Sequence, residues 1–397
     1  MPKKNIVILG GGFAGISALR RLKRYSRLLE GEFKLVLIDK RTCFEFLPML
    51  PDVIGGWMRP ELLRYELAPF AERQDIEFVN EPVEAIDTGN KRIRTRGRDI
   101  PYEYAVLATG SETNFYGNSS LRESCLKLDN VDDALAINRT LTDRSGRMDE
   151  MNILVIGGGY TGIEIATNIN YLLRAGSGKY KIHIVEKADD ILKMLPEWIA
   201  GKVKKEMDNL GIEIITSDSL EEYDGEVAVL ASGRKFSPAS CIWTAGVKSG
   251  AYLEQTDLNK KRTRIVVEND LTPADHHGKD LFIAGDTASF TGRGKDNPIR
   301  MAVMFSMGQG KTAANNIIRS IQKRPLERYK VLDLGYLVPM AHGKAPGVVM
   351  RTRVWGLLGY MMHYYMCIYR SEPENMAGIA KDVIFKMLKR KIRRGNG

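Results

Sequence analysis

Cysteine is scarce. The 397-residue chain has four, at positions 43, 125, 241 and 367, with no CxxC or CxxxxC pair. That spacing argues against a structural zinc site and a dithiol redox motif, and it fits a reducing compartment. Histidine is equally sparse: five residues, with no HxxxH or HExxH spacing, so no metal site is expected. The pair His276-His277 lies in a stretch rich in Pro, Asp and Gly and reads as loop. The N-terminus, Met1-Pro-Lys-Lys-Asn5, runs straight into an apolar strand pattern, and no secretory signal is expected. With 44% hydrophobic and 27% charged residues, the composition excludes a disordered chain, a collagen-like repeat and a small disulfide scaffold. A chain of this length has room for two or three domains with a large core.

Negative charge is lacking at one end only. From Arg319 to Gly397 there are 16 Lys/Arg against 5 Asp/Glu, a balance of +11, so the first 318 residues carry −1 of the total +10. A basic tail on a nearly neutral body suits nucleic acid, an anionic membrane surface or an acidic partner.

What is present in abundance is a long-period repeat. Asn5-Ile-Val-Ile-Leu-Gly10-Gly-Gly-Phe-Ala-Gly15 leads through a helical pattern to Lys34-Leu-Val-Leu-Ile-Asp39. Asn152-Ile-Leu-Val-Ile-Gly157-Gly-Gly-Tyr-Thr-Gly162 leads in the same way to Lys181-Ile-His-Ile-Val-Glu186. In both, an apolar run ends in GxGxxG and an acid closes a second run 29 positions after the first glycine. Each copy reads as strand, tight turn, helix, strand, with strands buried on both faces. The repeat extends to Tyr104-Ala-Val-Leu-Ala-Thr109-Gly110, with Gly110 100 positions after Gly10, and to Ile242-Trp-Thr-Ala245-Gly246, with Gly246 89 positions after Gly157.

The chemistry follows from the residue types. Gly10 and Gly157 permit the turn, Gly12 and Gly159 let a pyrophosphate approach the backbone, and Gly15 and Gly162 let helix pack on strand. The pyrophosphate meets the unpaired N–H groups and positive dipole end of each helix. Asp39 and Glu186 are placed to accept from ribose hydroxyls, and a carboxylate at Glu186 repels a 2′-phosphate, favouring NADH over NADPH. Two such units, the second nested in the first, predict an α/β chain of two dinucleotide-binding (Rossmann-like) domains.

These residues, together with Leu281-Phe-Ile-Ala-Gly285-Asp286, resemble the two-dinucleotide-binding-domain flavoproteins. Within that group the chain looks like type II NADH dehydrogenase, the single-chain NADH:quinone oxidoreductase. The marks are Ala108-Thr-Gly-Ser-Glu-Thr-Asn-Phe115, Gly157-Gly-Gly-Tyr-Thr-Gly-Ile-Glu164, Ile242-Trp-Thr-Ala-Gly-Val247 and Phe44-Glu-Phe-Leu-Pro-Met-Leu-Pro51. The resemblance implies FAD in the first domain, held by Gly10, Gly12, Phe13, Ala14, Gly15, Asp39 and Lys40. It adds Val83, Ala108, Thr109, Gly110, Asp286, Ala302 and Val303 to that site. It implies NADH in the second, held by Gly157, Gly159, Tyr160, Thr161, Gly162, Glu186, Ala245 and Gly246. Glu164 is implied as the catalytic residue, near nicotinamide, flavin and quinone. The implied reaction passes a hydride from NADH to FAD and then two electrons to a quinone, without proton pumping.

One departure concerns the acceptor. Related chains carry Ala-Gln-x-x-x-Gln before a glycine and a helix; here both glutamines are missing, at Met304 and Gly308, and Gln309 stands one position away. An alternative is sulfide:quinone oxidoreductase, which uses two cysteines beside the flavin; Cys125 and Cys367 are the candidates. A slow-turnover redox sensor holding FAD and NADH is the other. Gly308-Gln-Gly-Lys-Thr312 resembles part of a phosphate loop, but Phe305 stands where the full pattern needs glycine.

The tail completes the reading. Val354 to Tyr369 is 16 residues with no Asp, Glu, Lys or Arg, shorter than the about 20 residues of a spanning helix. Ile379 to Arg394 has apolar residues at helical spacing, with seven Lys/Arg and one Asp from 381 onwards. A basic amphipathic helix lies on anionic lipid. The expected division is 1–115 and 250–325 for FAD, 116–249 for NADH, and 326–397 for peripheral attachment to the cytoplasmic face of the cell membrane. A homodimer through that tail is compatible with this division, and no nucleic-acid partner is expected.

Overall fold

The computed structural model describes residues 2–145, 150–174, 176, 178–292 and 297–395; the side chains of 390–395 lie outside the described residues. Its short runs of Ile, Val and Leu form strands because branched side chains pack well on a pleated surface. In chain order, the elements used below begin with strand β1 (Lys4–Leu9), helix α1 (Phe13–Lys23), strand β2 (Phe33–Ile38) and short helix α2 (Leu50–Ile54). Strands β3 (Glu77–Val79), β4 (Tyr104–Leu107) and β5 (Glu150–Ile156) follow, then helix α3 (Tyr160–Leu173) and strand β6 (Lys179–Glu186). Next come helix α4 (Glu197–Leu210), strands β7 (Ile212–Thr216), β8 (Ala239–Trp243) and β9 (Leu281–Ile283), and helix α5 (Val303–Ile321). The chain closes with strands β10 (Gly335–Leu337), β11 (Gly347–Val349) and β12 (Thr352–Val354) and helices α6 (Leu357–Arg370) and α7 (Pro373–Gly395).

Two compact units result. The first comprises Met1–Phe44, Tyr65–Glu112 and Lys248–Asp333; the second comprises Glu45–Arg64, Thr113–Val247 and Leu334–Gly397. The first holds a parallel sheet in the order β9-β4-β1-β2-β3. The second holds a parallel sheet in the order β7-β6-β5-β8. In both, the strand before the glycine turn lies between the strand that ends in the acid and the strand that returns to it. The register repeats as well: Lys4 faces Phe33 and Glu150 faces Lys179, an offset of 29 positions in both. Ile6, Val7 and Ile8, and likewise Ile153, Leu154 and Val155, are wholly buried. Burial on both faces is what parallel strands covered by helices require.

In the first unit α5 crosses α1 at a glycine. A Cβ on Gly310 would collide with the Ala14 carbonyl, so the two backbones meet without a side chain between them. The phosphate-loop-like residues 308–312 are interior turns of α5, not a loop.

The second unit departs from the expected division in two places. Residues 45–64, expected with the FAD part, belong to it, because α2 and Trp57 pack on α3: Trp57 Nε1 donates to Asn168 Oδ1 at 3.1 Å. Residues 334–397, expected as a separate attachment region, belong to it too. The antiparallel sheet β10-β11-β12 is clasped to α4 by the Lys344–Glu206 ion pair. Two cation–π contacts, Arg353 over Trp198 and Lys202 over Trp355, both at 5.5 Å, add to the clasp. Ala341 N–H donates to Thr167 Oγ1 of α3 at 3.2 Å.

Gly310→Ala is expected to force α1 and α5 apart and to cost about 2–4 kcal/mol. Urea unfolding followed by circular dichroism measures it; an unchanged midpoint contradicts the close crossing.

Candidate functional site

The first unit presents one glycine turn. Gly10 has φ +104°, where an added Cβ would strike the Ala108 carbonyl, and a Cβ on Gly15 would strike the Gly10 carbonyl. Gly12 caps α1 with no side-chain bond, the first turn from Phe13 holds no acid, and nothing lies within 4 Å of where its Cβ would be. The first amides of α1 therefore face an open side with their dipole positive, as an anionic pyrophosphate needs. Asp39 Oδ2 accepts from Gly11 N–H at 2.6 Å and Oδ1 from Arg41 N–H at 2.8 Å. The Arg41 guanidinium also donates to both oxygens, at the long distance of 3.4 Å, contacts that a ribose hydroxyl would compete with. Lys40 is exposed and reaches Glu112 at 3.7 Å; Val83 opens the strand Val83–Asp87, partly exposed.

The rest of the expected first set lies in the same unit. Ala108 follows β4 and donates its N–H to Leu9 at 2.7 Å. Thr109 Oγ1 lies 2.6 Å from Tyr252 Oη, and Gly110 N–H donates to Thr287 Oγ1 at 3.1 Å. Ser111 Oγ donates to Asp286 Oδ2 at 3.2 Å. Burial raises the Asp286 carboxyl above the usual range, against the pull of Ser111, Arg264 and Ser306. Ala302 caps α5, and Val303 is its first residue, again with no side-chain cap. Tyr252, Thr287 and Arg264 were not legible in the sequence, because no spacing rule ties them to the turn. Gln309 has a different role from the one the missing glutamines suggested. It is buried, and its Oε1 accepts from Gly285 N–H at 2.7 Å, so it holds the Gly285-Asp286 turn.

The second unit repeats the backbone amide bonds at its acid. Gly157 has φ +117°, and a Cβ on Gly162 would strike the Gly157 carbonyl. Gly159 caps α3 without a side-chain bond and with open space beside it; Tyr160 and Thr161 begin the helix. Glu186 Oε2 accepts from Gly158 N–H at 2.7 Å and Oε1 from Ala188 N–H at 2.8 Å.

The motifs Thr-Asn-Phe and Trp-Thr-Ala-Gly prove to be one structure. Trp243 Nε1 donates to the Asn114 carbonyl at 2.9 Å, and its ring stacks on Phe115 with centroids 5.4 Å apart. Tyr116 Oη donates to the Ala245 carbonyl at 2.9 Å. Gly246 has φ +145°, a backbone conformation that residues with a Cβ rarely adopt, and the Tyr116 hydroxyl lies against it. Tyr116 was missed in the sequence, although it directly follows the motif.

Glu164 stands on α3 in the second unit, partly accessible yet closely surrounded. Loss of water and the nearby charge of Asp52 push its carboxyl well above the usual range. A shift in this direction favours the protonated form, as a proton donor needs. The two cysteines of the sulfide alternative join different clusters. Cys125 lies in the apolar core with Cys241, whose thiol is pushed up mainly by its hydrogen bond with Cys125 and by burial. Cys367 Sγ lies 3.5 Å from His363 Nε2, and burial first, then Asp52 and Glu164, push its thiol up. Both side chains are buried, whereas cysteines that handle sulfur are accessible.

The tail helices carry two faces. On α6, Tyr360, Tyr364 and Cys367 are buried, while Leu357, Leu358, Met361, Tyr365 and Tyr369 are exposed. On α7, Ile379 and Val383 are buried, and Ile384, Phe385 and Leu388 are each 57% exposed. Of the basic residues on this helix, Lys381 and Lys389 are exposed, but Lys386 is buried, with Nζ 3.6 Å from the centroid of the Trp57 ring. The basic side chains from 390 to 394 lie outside the described residues.

Comparison with known proteins follows this geometry. A family model described as pyridine nucleotide-disulphide oxidoreductase matches residues 4–315. A type II NADH:quinone oxidoreductase of Staphylococcus haemolyticus is 24% identical over 372 residues, covering 89% of this chain and 92% of that one. NDH2 of Plasmodium falciparum, solved in complex with NADH, superimposes with a TM-score of 0.82 at 15% identity, covering 96% of this chain and 98% of that one. The sulfide:quinone oxidoreductase of Aquifex aeolicus gives a TM-score of 0.77 at 19% identity, covering 92% and 90%. The match over most of the length, on two glycine turns closed by Asp39 and Glu186, means that the chain belongs to the pyridine nucleotide-disulphide oxidoreductase family.

Proposed function

We propose that the protein is a non-proton-pumping NADH:quinone oxidoreductase of type II that uses FAD. The observation that carries the reading is the duplicated turn: two uncapped helix N-termini, each beside an acid locked to the second glycine's amide. FAD, when bound, supplies the two-electron chemistry between hydride donor and quinone.

The chain's own groups bind and orient. In the first unit, the turn from Gly10 to Gly15 holds the FAD pyrophosphate, with Phe13 and Ala14 in the first helical turn. Asp39 receives the adenosine ribose, Lys40 and Val83 flank it, and Ala108, Thr109 and Gly110 bring bare backbone to the cofactor. Asp286 takes the ribityl–phosphate end, and Ala302 and Val303 offer the amides of α5. In the second unit, Gly157, Gly159, Tyr160, Thr161 and Gly162 hold the NADH pyrophosphate, with Ala245 and Gly246 beside it. Glu186 receives the ribose hydroxyls, and its charge opposes a 2′-phosphate. Glu164 carries the proton that quinone reduction consumes.

The tail suits an anionic membrane surface on its cytoplasmic side. The exposed apolar residues of α6 recur on one helical face, and Ile384, Phe385 and Leu388 extend the apolar surface onto α7, with Lys381 and Lys389 exposed nearby. Among the described residues no helix is long and apolar enough to cross a membrane.

Two tests follow. Glu186→Gln keeps the acceptors and removes the charge; kcat/KM for NADPH is expected to rise about tenfold, equivalent to ~1.4 kcal/mol. An unaltered NADPH rate in steady-state assays rejects the role of Glu186. Replacing Ile384, Phe385 and Leu388 together by Ser removes apolar burial worth about 3 kcal/mol and is expected to weaken binding to anionic vesicles about 100-fold. Sedimentation with vesicles measures this, and wild-type binding by the triple variant rejects α7 as the attachment surface.

A further inference from the structure

Asp52 is a buried acid that no step above uses. It is 3% exposed, and its Oδ1 accepts from the Tyr364 hydroxyl of α6 at 2.8 Å. It also bonds with Asn168 of α3. Asn168 lies one helical turn past Glu164, donates to the Glu164 carbonyl at 3.0 Å and accepts from Trp57 Nε1 at 3.1 Å. Residues four apart share one helix face, so Glu164 and Asn168 both face the segment that carries Asp52. From α7, Lys386 Nζ reaches in over the rings of Trp57, Tyr171 and Tyr360, at 3.6, 4.9 and 5.6 Å from their centroids.

The charged and titratable groups around Asp52 come from each helix packed on it. They are Glu164 and Tyr171 on α3; Tyr360, His363, Tyr364 and Cys367 on α6, with Arg370 beyond Cys367; and Lys386 on α7. The helix Val131–Ser145, also against α2, buries only Val131, Ala134, Ile137 and Leu141. Burial and Lys386 push the His363 ring down to about 4, so it is neutral at pH 7. The cation that acts on Asp52 is Lys386. A medium of low polarity does not keep two carboxylates charged against one ammonium, so one proton stays.

We propose that Asp52 is a positioning residue for the quinone half of the reaction: held by Tyr364 and Asn168 in the field of Lys386, its carboxylate keeps the neighbouring Glu164 protonated as the loaded donor. The proposal rests on the reading of Glu164 as proton source. The balance is simple. Reduction of a quinone takes two electrons and two protons; the hydride of NADH supplies both electrons and one proton. Glu164 gives the second proton to a quinone oxygen, and the carboxylate so formed takes one back from water, driven by the adjacent Asp52 charge. The directions of the shifts agree. Burial raises Asp52 to about 6, opposed by Lys386, Tyr364 and Asn168, so it is largely ionised at pH 7.5, and its charge adds to burial in raising Glu164.

The test is made on the purified holoprotein with Asp52→Asn and Asp52→Glu. Dicyclohexylcarbodiimide, which reacts with protonated carboxyls in apolar surroundings, is added over a pH series, and labelling of Glu164 is read by peptide mass spectrometry. Asp52→Asn is expected to weaken the proton affinity of Glu164 at least tenfold, moving the labelling midpoint down by a unit or more. The alkaline limb of the quinone-reduction rate moves with it, and Asp52→Glu restores both. If Asp52→Asn does not fold, Tyr364→Phe is read instead; it raises the proton affinity of Asp52 and shifts the Glu164 midpoint in the same direction by less. An unmoved midpoint overturns the proposal whatever the rate. A moved midpoint with an unmoved rate profile overturns the role in quinone reduction. Loss of NADH oxidation in the unaltered protein instead sinks the reading of the enzyme, which the labelling does not depend on.

Discussion

Everything in both units hangs on backbone touching backbone at the glycine turns. Gly15 lies against the Gly10 carbonyl, and Gly162 against the Gly157 carbonyl, so closely that a single Cβ would not fit. That contact fixes the start of α1 and α3 at the carboxyl ends of parallel strands, where the amides of an uncapped helix point to open space. Given the turn, the acid 29 positions later has one available place. The strand register brings Asp39 to Gly11 and Glu186 to Gly158.

The carboxylate satisfies an amide that the turn leaves without a partner. In the proposed function it also meets the ribose, and a charge committed to the backbone would not swing away from a 2′-phosphate. A second electrostatic arrangement lies in the second unit, where Asp52 and Lys386 are buried among aromatic side chains and the charge of Asp52 acts on Glu164. Loss of water makes each charge there depend on its neighbours. At the exposed turns solvent shares that work.

The sheets, the turns and their acids were legible in the sequence because each is a local pattern: a period of apolar residues, a glycine spacing, a fixed register. The pairing of Trp243 with Phe115 was half legible, as two motifs without their contact. Residues 45–64 and 334–397 were assigned elsewhere because their packing on α3 and α4 joins segments remote in the chain, and no local spacing encodes it. Lys386 shows the limit most clearly. Helical periodicity tells which residues share a face, but not which face is buried; the aromatic rings that surround Lys386 come from residues 57, 171 and 360. Gln309 likewise looked like a displaced ligand group until its bond to Gly285 was seen.

The most direct measurement is anaerobic mixing of the purified flavin-loaded protein with NADH and, separately, with sulfide, while the visible flavin band is followed. The account predicts rapid bleaching by NADH and none by sulfide. No bleaching by NADH would contradict hydride transfer from the second dinucleotide site, and bleaching by sulfide alone would move the chemistry to the cysteines.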